Sequence, residues 1–160
     1  MPAYKDKEKG TWYVKFYSKN WQGINKQVKK RGFQTKKEAL EYERNYKLRD
    51  EGALDIPLSE FFEIYTEDKK RRLKENTWIT KEYIVNDKIL PYLGNMKMNE
   101  IKAADVVRWQ NEIMKLTTDN GEDISQSYLK TIHNQLSCIF NHAVRYYELR
   151  DNPARKADQL

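Results

Sequence analysis

Hydrophobic and polar positions follow two different periods along the chain. Between residues 12 and 17 apolar and polar side chains alternate, as in a strand with one buried face. That buried face is predicted to hold Trp12, Val14 and Phe16. After residue 57 the apolar residues recur every three or four positions, which is the spacing of amphipathic helices. The chain is therefore predicted to be an α+β protein, with a small sheet followed by a helical domain.

The alternating segment is predicted to be the middle one of three antiparallel strands. Pro2 to Lys5 can form a short leading strand, and a polar turn after residue 19 leads into a return arm from Ile24 to Arg31. Val28 and Phe33 can share one face of that arm only if the chain slips near Gly32. We therefore expect a β-bulge at this glycine.

A helix is predicted directly after the sheet. Thr35 and Glu38 have the spacing of a capping box, which satisfies backbone N–H groups at a helix start. The helix is expected to end near Gly52. Its sheet-facing stripe is predicted to contain Ala39, Tyr42, Glu43 and Tyr46.

The second domain is predicted to be an all-α, four-helix bundle, because short loops separate four amphipathic segments. The second of these helices is expected to bury Ile79 and Tyr83 and to end before Pro91, and the third to bury Met114. The predicted helix starts are Ser59, Asn76 or Thr77, Ala103, and Ser125 or Ser127. The longest apolar stripe belongs to the last helix and comprises Leu129, Ile132, Leu136, Ile139, Phe140, Ala143 and Tyr147.

The charge distribution separates the same two domains. Residues 1–50 contain 14 Lys and Arg against 6 Asp and Glu, a net charge of +8, whereas residues 51–160 contain 16 against 18, a net charge of −2. A basic module beside a nearly neutral one favours a polyanionic partner for the first. The predicted boundaries are 1–52 for the sheet domain, 53–57 for a linker, 58–155 for the helical domain, and 156–160 for the start of a further linker.

One face of the predicted hairpin combines positive charge with aromatic rings. A two-stranded ribbon of this kind fits the major groove of B-DNA, where Arg, Lys and Gln reach base edges. The alternative is a solvated face whose lysines keep an edge hairpin soluble. The residues predicted to bind DNA here are Tyr13, Lys15, Tyr17, Gln27, Lys29 and Arg31, provided that Val28 points inward.

A second basic cluster precedes the second helix of the bundle. The N-terminus of a helix favours a phosphate group, and the lysines and arginines crowd that end. An ordinary N-cap within a solvated loop is the alternative interpretation. The DNA-binding candidates in this domain are Lys70, Arg71, Arg72, Lys74, Asn76, Thr77 and, on the last helix, Lys130.

Catalytic, metal-binding and membrane-spanning signals are absent from the sequence. Two His and one Cys give no metal-ligand spacing, and no nucleophile is paired with a base, so we expect no catalytic residue, metal, cofactor or small-molecule substrate. His142 and Arg145 match His-x-x-Arg by chance, His142 is expected to be a solvated or boundary residue of a helix, and Cys138 is expected to be buried. Without an export signal or a membrane-length apolar run, the chain is expected in the cytoplasm.

Several motifs in this order resemble phage or conjugative-element integrases of the tyrosine recombinase family. W-Y-V-K-F-Y at 12–17 and K-K-R-G-F-Q-T-K-K-E-A at 29–39 resemble their arm-type-site-binding domain. I-L-P-Y-L-G at 89–94, F-N-H-A-V at 140–144 and N-P-A at 152–154 resemble their SAM-like core-binding domain.

The resemblance implies DNA binding at the arm and core sequences of attachment sites, during integration and excision of a mobile element. It also implies double-stranded DNA and other integrase protomers as partners. The family's catalytic Arg, His-x-x-Arg and Tyr belong to a later domain that this sequence does not contain. The resemblance therefore implies that the chain itself does not cleave DNA and that its parent protein is a tyrosine recombinase.

Two other functions fit the same residues. The chain could act as a stand-alone regulator that occupies attachment sites without cutting them. Alternatively, the basic hairpin could bind structured RNA, with the helical bundle serving as a protein-interaction domain.

Overall fold

A computed structural model of the chain describes residues 2–49 and 53–160. These residues divide into two compact units between Ala53 and Leu54. The first unit is a three-stranded antiparallel sheet with one helix, and the second is all-helical. The predicted α+β fold class is confirmed. The predicted helix end near Gly52 lies outside the described residues.

The sheet contains three strands in the order β1-β2-β3, and each is antiparallel to its neighbour. The elements of this unit are β1 (Ala3–Lys5), β2 (Trp12–Lys19), β3 (Asn25–Phe33) and α1 (Lys36–Arg49). The polar turn forms as expected, because Asn20 and Gly23 close it with a backbone hydrogen bond of 2.9 Å. The alternation in the sequence therefore identified all three strands.

The predicted bulge at Gly32 is confirmed. Trp12 pairs with Phe33 while Tyr13 pairs with Arg31, so Gly32 has no partner on β2. Its φ of +94° lies in the region that glycine adopts without steric cost. The extra residue allows Phe33 and Val28 to face the same side of the sheet.

Helix α1 covers that side and forms the core of the first unit. Val14, Phe16 and Ala39 are buried there, and Trp12 packs against them while remaining partly exposed. The ring of Tyr46 meets Phe16 edge-on, with 5.3 Å between their centroids. Packing of aromatic rings against β-branched and aromatic strand residues is the main stabilising contribution in this small unit.

The start of α1 differs slightly from the expected capping box. Thr35 Oγ1 accepts the backbone N–H of Glu38 at 3.2 Å, as predicted. The Glu38 carboxylate accepts the N–H of Gln34 at 3.0 Å, one residue before the N–H that the motif specifies. Both side chains still satisfy backbone donors at the helix entrance.

The second unit contains α2 (Leu58–Lys69), α3 (Glu75–Ile84), α4 (Leu90–Leu93), α5 (Ala103–Met114), α6 (Gln126–Tyr146) and α7 (Pro153–Lys156). A 3₁₀ turn at Lys70–Arg72 connects α2 to α3, and a π-helical segment at Val85–Ile89 connects α3 to α4. The apolar stripe predicted on the last helix is buried from Leu129 to Ala143. This stripe forms the centre of the bundle.

Two predicted helix starts are wrong, and those at Ala103 and Ser125 are confirmed. Pro57 precedes α2, so Ser59 lies inside the helix and caps nothing. Lys74 is the N-cap of α3, which places Asn76 and Thr77 in its first turn. Ser125 caps α6, as one of the two alternatives predicted, by accepting the N–H of Tyr128 at 3.3 Å.

The face of α3 that packs inward was predicted incorrectly. Ile79 and Tyr83 are 55% and 59% exposed, whereas Trp78 and Ile84 are buried. The sequence of α3 offers two apolar stripes, and the indole of Trp78 fills the core by stacking on Phe62, with 6.1 Å between the ring centroids. Burial of the larger aromatic surface decides the phase.

Pro91 does not end the preceding helix, contrary to expectation. The N–H of Leu90 donates to the carbonyl of Val85, five residues earlier, and the chain continues helically through Pro91 in α4. A π-helical turn changes the hydrogen-bond pattern before the proline, where its missing N–H is tolerated.

Three further burial predictions are wrong. Met114 is exposed, and Trp109 occupies the core side of α5, where its Nε1 donates to the carbonyl of Lys88 at 2.8 Å. Cys138 is exposed, since the long stripe of α6 is filled by larger side chains. His142 is buried rather than solvated.

The segments predicted as linkers are packed against the bundle. Leu54 and Ile56 are buried, and their carbonyls accept the N–H groups of Asn99 and Met98 at 3.1 and 2.8 Å. At the other end, the carbonyl of Asp158 accepts a hydrogen bond from the Gln110 side chain at 2.7 Å, and Ala157 is buried. Apolar side chains in short extended segments account for both corrections.

The two sides of β2 provide a matched test of this fold. Phe16→Ala should destabilise the first unit by about 3 to 5 kcal/mol, because Phe16 is 3% exposed and its removal leaves a cavity. Tyr17→Ala should change the free energy of unfolding by less than about 0.5 kcal/mol, since Tyr17 is 67% exposed. Hydrogen exchange of residues 2–49 during urea unfolding measures both, and equal losses would contradict the face assignment.

Candidate nucleic-acid interface

The six hairpin residues predicted to bind DNA form three cross-strand pairs. Tyr13 pairs with Arg31, Lys15 with Lys29, and Tyr17 with Gln27. Directly opposed residues of antiparallel strands project from the same face, so all six lie together. These residues form the outer face of the sheet, which is opposite the face that α1 covers. Five of the six are exposed, and Tyr13 is partly exposed.

Tyr4 extends the outer face onto β1. It pairs with Tyr13, and the two rings stack with centroids 5.3 Å apart and planes at 24°. Sequence reasoning missed Tyr4 because its role depends on the β1–β2 register, which a three-residue strand does not specify. With the register known, Tyr4 is the β1 residue that continues the row from Arg31 through Tyr13.

Two cations lie over the Tyr13 ring. Lys29 Nζ is 5.1 Å and Arg31 Cζ 5.9 Å from its centroid. Both distances fall within the range of cation–π attraction. The Tyr13 ring therefore attracts two positive charges of β3 to the outer face of β2.

The electrostatic character of the sheet is uniformly positive. The three strands contain seven Lys and Arg and no Asp or Glu. Lys26 and Lys30 are opposite Ser18 and Val14, on the side of the sheet that faces α1. Positive charge on the outer face is thus not balanced by any acidic strand residue, which favours an anionic partner.

The second unit presents its basic residues in one short turn. Lys70, Arg71 and Arg72 form the exposed 3₁₀ turn, and Lys74 is the N-cap of α3. Asn76 and Thr77, which were predicted as possible caps, are exposed in the first turn of α3. Six of the seven candidates in this unit therefore lie in one stretch beside a helix N-terminus. The seventh, Lys130, is exposed on α6 and is not part of this turn.

A partly buried polar network holds Asp68, two residues before the basic turn. His142 Nε2 lies 2.8 Å from Asp68 Oδ2, and the hydroxyl of Tyr147 donates to the same oxygen. His142 is 7% exposed, and the rings of Phe61 and Tyr65 pack around it. The network ties the last turn of α2 to the C-terminal end of α6. Sequence reasoning missed it, because no spacing rule connects residues 74 positions apart.

This network changes the acidity of two of its members. Burial opposes ionisation of Asp68, but hydrogen bonds from Tyr147 and His142, with attraction from His142 and Arg72, hold its pKa below the usual value. Burial and the hydrogen bond to Asp68 raise the pKa of Tyr147 to about 12. At neutral pH the carboxylate therefore accepts and the tyrosine hydroxyl donates.

In residues 2–49 and 53–160, no group of three His, Cys, Asp or Glu side chains is placed to hold a metal ion. No helix in the described part of the chain is both long and apolar enough to cross a membrane. The positive surfaces are the main functional candidates.

Two family models match separate parts of the sequence. Residues 2–49 match the family described as an arm DNA-binding domain, and residues 58–114 match the phage integrase N-terminal SAM-like domain. The chain carries the DNA-binding portion of a phage-type integrase. Its partner is DNA, and the predicted RNA-binding alternative has no support from these matches.

Solved structures share the integrase fold at low sequence identity. The integrase-like domain from Bacillus cereus is 18% identical, with a TM-score of 0.57 over 68% of this chain and 86% of that one. A fragment comprising residues 61–160 of a Clostridium leptum protein is 21% identical, with a TM-score of 0.50 over 65% and 88%. At these identities the likeness shows the fold alone.

A lambda integrase dimer bound to a COC′ core site is 15% identical, with a TM-score of 0.55. The match covers 98% of this chain and 44% of that one, so this integrase chain spans less than half of the lambda chain. A comparison with the sequences of curated proteins finds no significant match.

The Asp68 network makes a prediction about pH. The pKa of Asp68 is lower in the folded protein than in the unfolded chain. Ionised Asp68 therefore stabilises the fold at pH values above the ordinary Asp pKa, and this stabilisation is lost as the pH falls through the pKa of Asp68 in the folded protein. Tyr147→Phe removes a donor, so it should raise the Asp68 pKa and cost more stability at neutral pH than in acid.

Carboxyl-carbon NMR titration and urea unfolding at two pH values measure these effects. Tyr146→Phe is the matched control, because Tyr146 packs on the His142 ring but its hydroxyl does not donate to Asp68. A Tyr147→Phe variant with an unchanged Asp68 pKa would contradict the network.

Proposed function

We propose that this chain recognises the two kinds of DNA sequence within attachment sites, as part of a tyrosine recombinase that integrates and excises a mobile element. The first unit binds arm-type sequence and the second binds core-type sequence. The observation that carries the proposal is the outer face, where three cross-strand pairs present cations and aromatic rings with no acidic strand residue. This face belongs to the unit that matches an arm DNA-binding domain.

The outer face suits the major groove of B-DNA. Arg31 is the proposed base reader, because its guanidinium fork matches O6 and N7 of guanine. Lys15 and Lys29 form a pair of cations that neutralises phosphates, and Gln27 can bond a base edge or a phosphate. Tyr17, which is largely exposed, can pack against the sugar-phosphate backbone.

The second unit holds the core site through its basic turn. No side chain of the described residues caps the start of α3, and the exposed basic turn Lys70 to Arg72 directly precedes its N-cap region. Such a helix N-terminus binds phosphate. Asn76, Thr77 and Lys130 are proposed as further contacts. The lambda integrase structure, which is a dimer on a core site, supports both the core-site role and other protomers as partners.

The described residues hold DNA and do not cut it in this proposal. Strand cleavage belongs to a catalytic domain of the parent protein, which acts in the cytoplasm. The network of Asp68, His142 and Tyr147 is structural in this proposal, since His142 and Tyr147 both bond the same Asp68 oxygen and so connect α2 to α6. Its role is to fix the end of α2, from which the basic turn begins.

The two faces of β3 supply a matched test of DNA contact. Lys29→Ala should lower the slope of log K against log salt by about one, since it removes a phosphate contact. Lys30→Ala removes the same charge from the next residue of β3, which lies on the side that faces α1, so it should leave the slope nearly unchanged. Arg31→Ala should cost about 1 to 3 kcal/mol on the selected sequence and relax specificity there.

Duplexes selected by the full chain from a random-sequence pool provide the probe, and binding is measured by fluorescence anisotropy across a salt series. If the slope of log K against log salt were the same for Lys29→Ala and Lys30→Ala, the outer face would not be the surface that contacts DNA. Failure of the wild-type chain to select or bind any duplex would contradict the proposed function itself.

A further inference from the structure

Tyr13 stands at the centre of a stack that crosses all three strands. On its β1 side the Tyr4 ring lies nearly parallel to it, at 5.3 Å between centroids. On its β3 side come Arg31, directly opposite, and Lys29, on the diagonal. Both of these cations lie within 6 Å of the same ring centroid, at 5.1 Å for Lys29 and 5.9 Å for Arg31.

This arrangement brings together two side chains that would otherwise separate. Lys29 and Arg31 carry like charges on the same face of one strand, and both have long, flexible stems. The negative face of an aromatic ring attracts a cation and offsets that repulsion. Ordering the two side chains before DNA arrives removes part of the entropy that binding would otherwise lose.

Lys29 and Arg31 both remain exposed beside the ring, so their polar groups are accessible to DNA. A guanidinium that approaches a ring through its face keeps its N–H edge free, and that edge is the part that bonds guanine. Tyr13 itself is less exposed than its neighbours Lys15 and Tyr17 on the outer face. Its position suits a support for the cations better than a direct contact to DNA.

We propose that Tyr13 is a positioning residue, whose ring, backed by Tyr4, holds Arg31 and Lys29 in place for DNA recognition. This rests on the proposed function of the outer face. It changes the role expected for Tyr13, since the ring and not the hydroxyl matters. Tyr13→Phe should therefore preserve the positioning of the two cations, whereas Tyr13→Leu should abolish it.

The first test needs no DNA. Protons of Arg31 held over an aromatic ring are shifted upfield in the NMR spectrum of the free full chain. The shift should persist in Tyr13→Phe and disappear in Tyr13→Leu, while the resonances of Val14 and Phe16 report that the sheet remains folded. Tyr4→Leu should reduce the shift, because the Tyr13 ring loses its support.

The second test measures binding to the selected duplex. Tyr13→Leu should weaken it by about two- to fivefold, which corresponds to one exposed cation–π contact, and should relax preference at the base pair that Arg31 reads. The slope of log K against log salt should not change, because no phosphate contact is removed. Tyr17→Leu is the comparison for specificity alone: it removes a proposed backbone contact and so can weaken binding, but it should leave that base preference intact, since Tyr17 is opposite Gln27 rather than a cation.

The outcomes separate the inference from the function on which it rests. Persistence of the Arg31 shift in Tyr13→Leu, or equal loss of binding in Tyr13→Phe and Tyr13→Leu, would overturn the positioning role even if the wild-type chain binds DNA well. Absence of DNA binding by the wild-type chain would overturn the proposed function, and the spectrum of the free protein would still decide whether the stack exists.

Discussion

The register between β2 and β3 decides which side chains of the first unit can meet DNA. Side chains alternate along a strand, so a slip of one residue would exchange the two faces of β3. Without an extra residue, Arg31 and Phe33 would share one face. The bulge at Gly32 separates them, so that Phe33 packs toward α1 and Arg31 joins Tyr13 on the outer face. A single glycine with positive φ thereby allows Phe33 to pack in the core and Arg31 to lie on the outer face.

In the second unit, residues held by packing and hydrogen bonds lie on both sides of the exposed basic turn. Asp68 precedes the turn and is held by His142 and Tyr147. After the turn, Trp78 stacks on Phe62 in the core and fixes the first part of α3. Lys70, Arg71 and Arg72 of the turn remain exposed between these anchors. Rigid attachment on both sides limits the conformational entropy that the turn can lose on binding phosphate.

Local patterns predicted most of the first unit, and packing decided what they could not predict. Period-two alternation and the conflict between Val28 and Phe33 identified the strands and the bulge, because both are properties of neighbouring residues. The role of Tyr4 and the Asp68 network could not be predicted, because both depend on contacts between residues that are distant in sequence.

The inward face of α3 was ambiguous, since Trp78 and Ile79 both belong to apolar stripes, and only the surrounding helices select between them. The buried ends at Leu54 and Ala157 likewise depend on contacts with α5 and its neighbouring loop.

Lysine footprinting tests most directly whether the outer face carries the DNA. The full chain is acetylated with and without a selected duplex, and the protection of each lysine is quantified by mass spectrometry. DNA should protect Lys15 and Lys29, while Lys26 and Lys30, on the same hairpin but facing α1, react as before. Protection of Lys26 and Lys30 equal to or greater than that of Lys15 and Lys29 would show that the outer face does not contact the DNA.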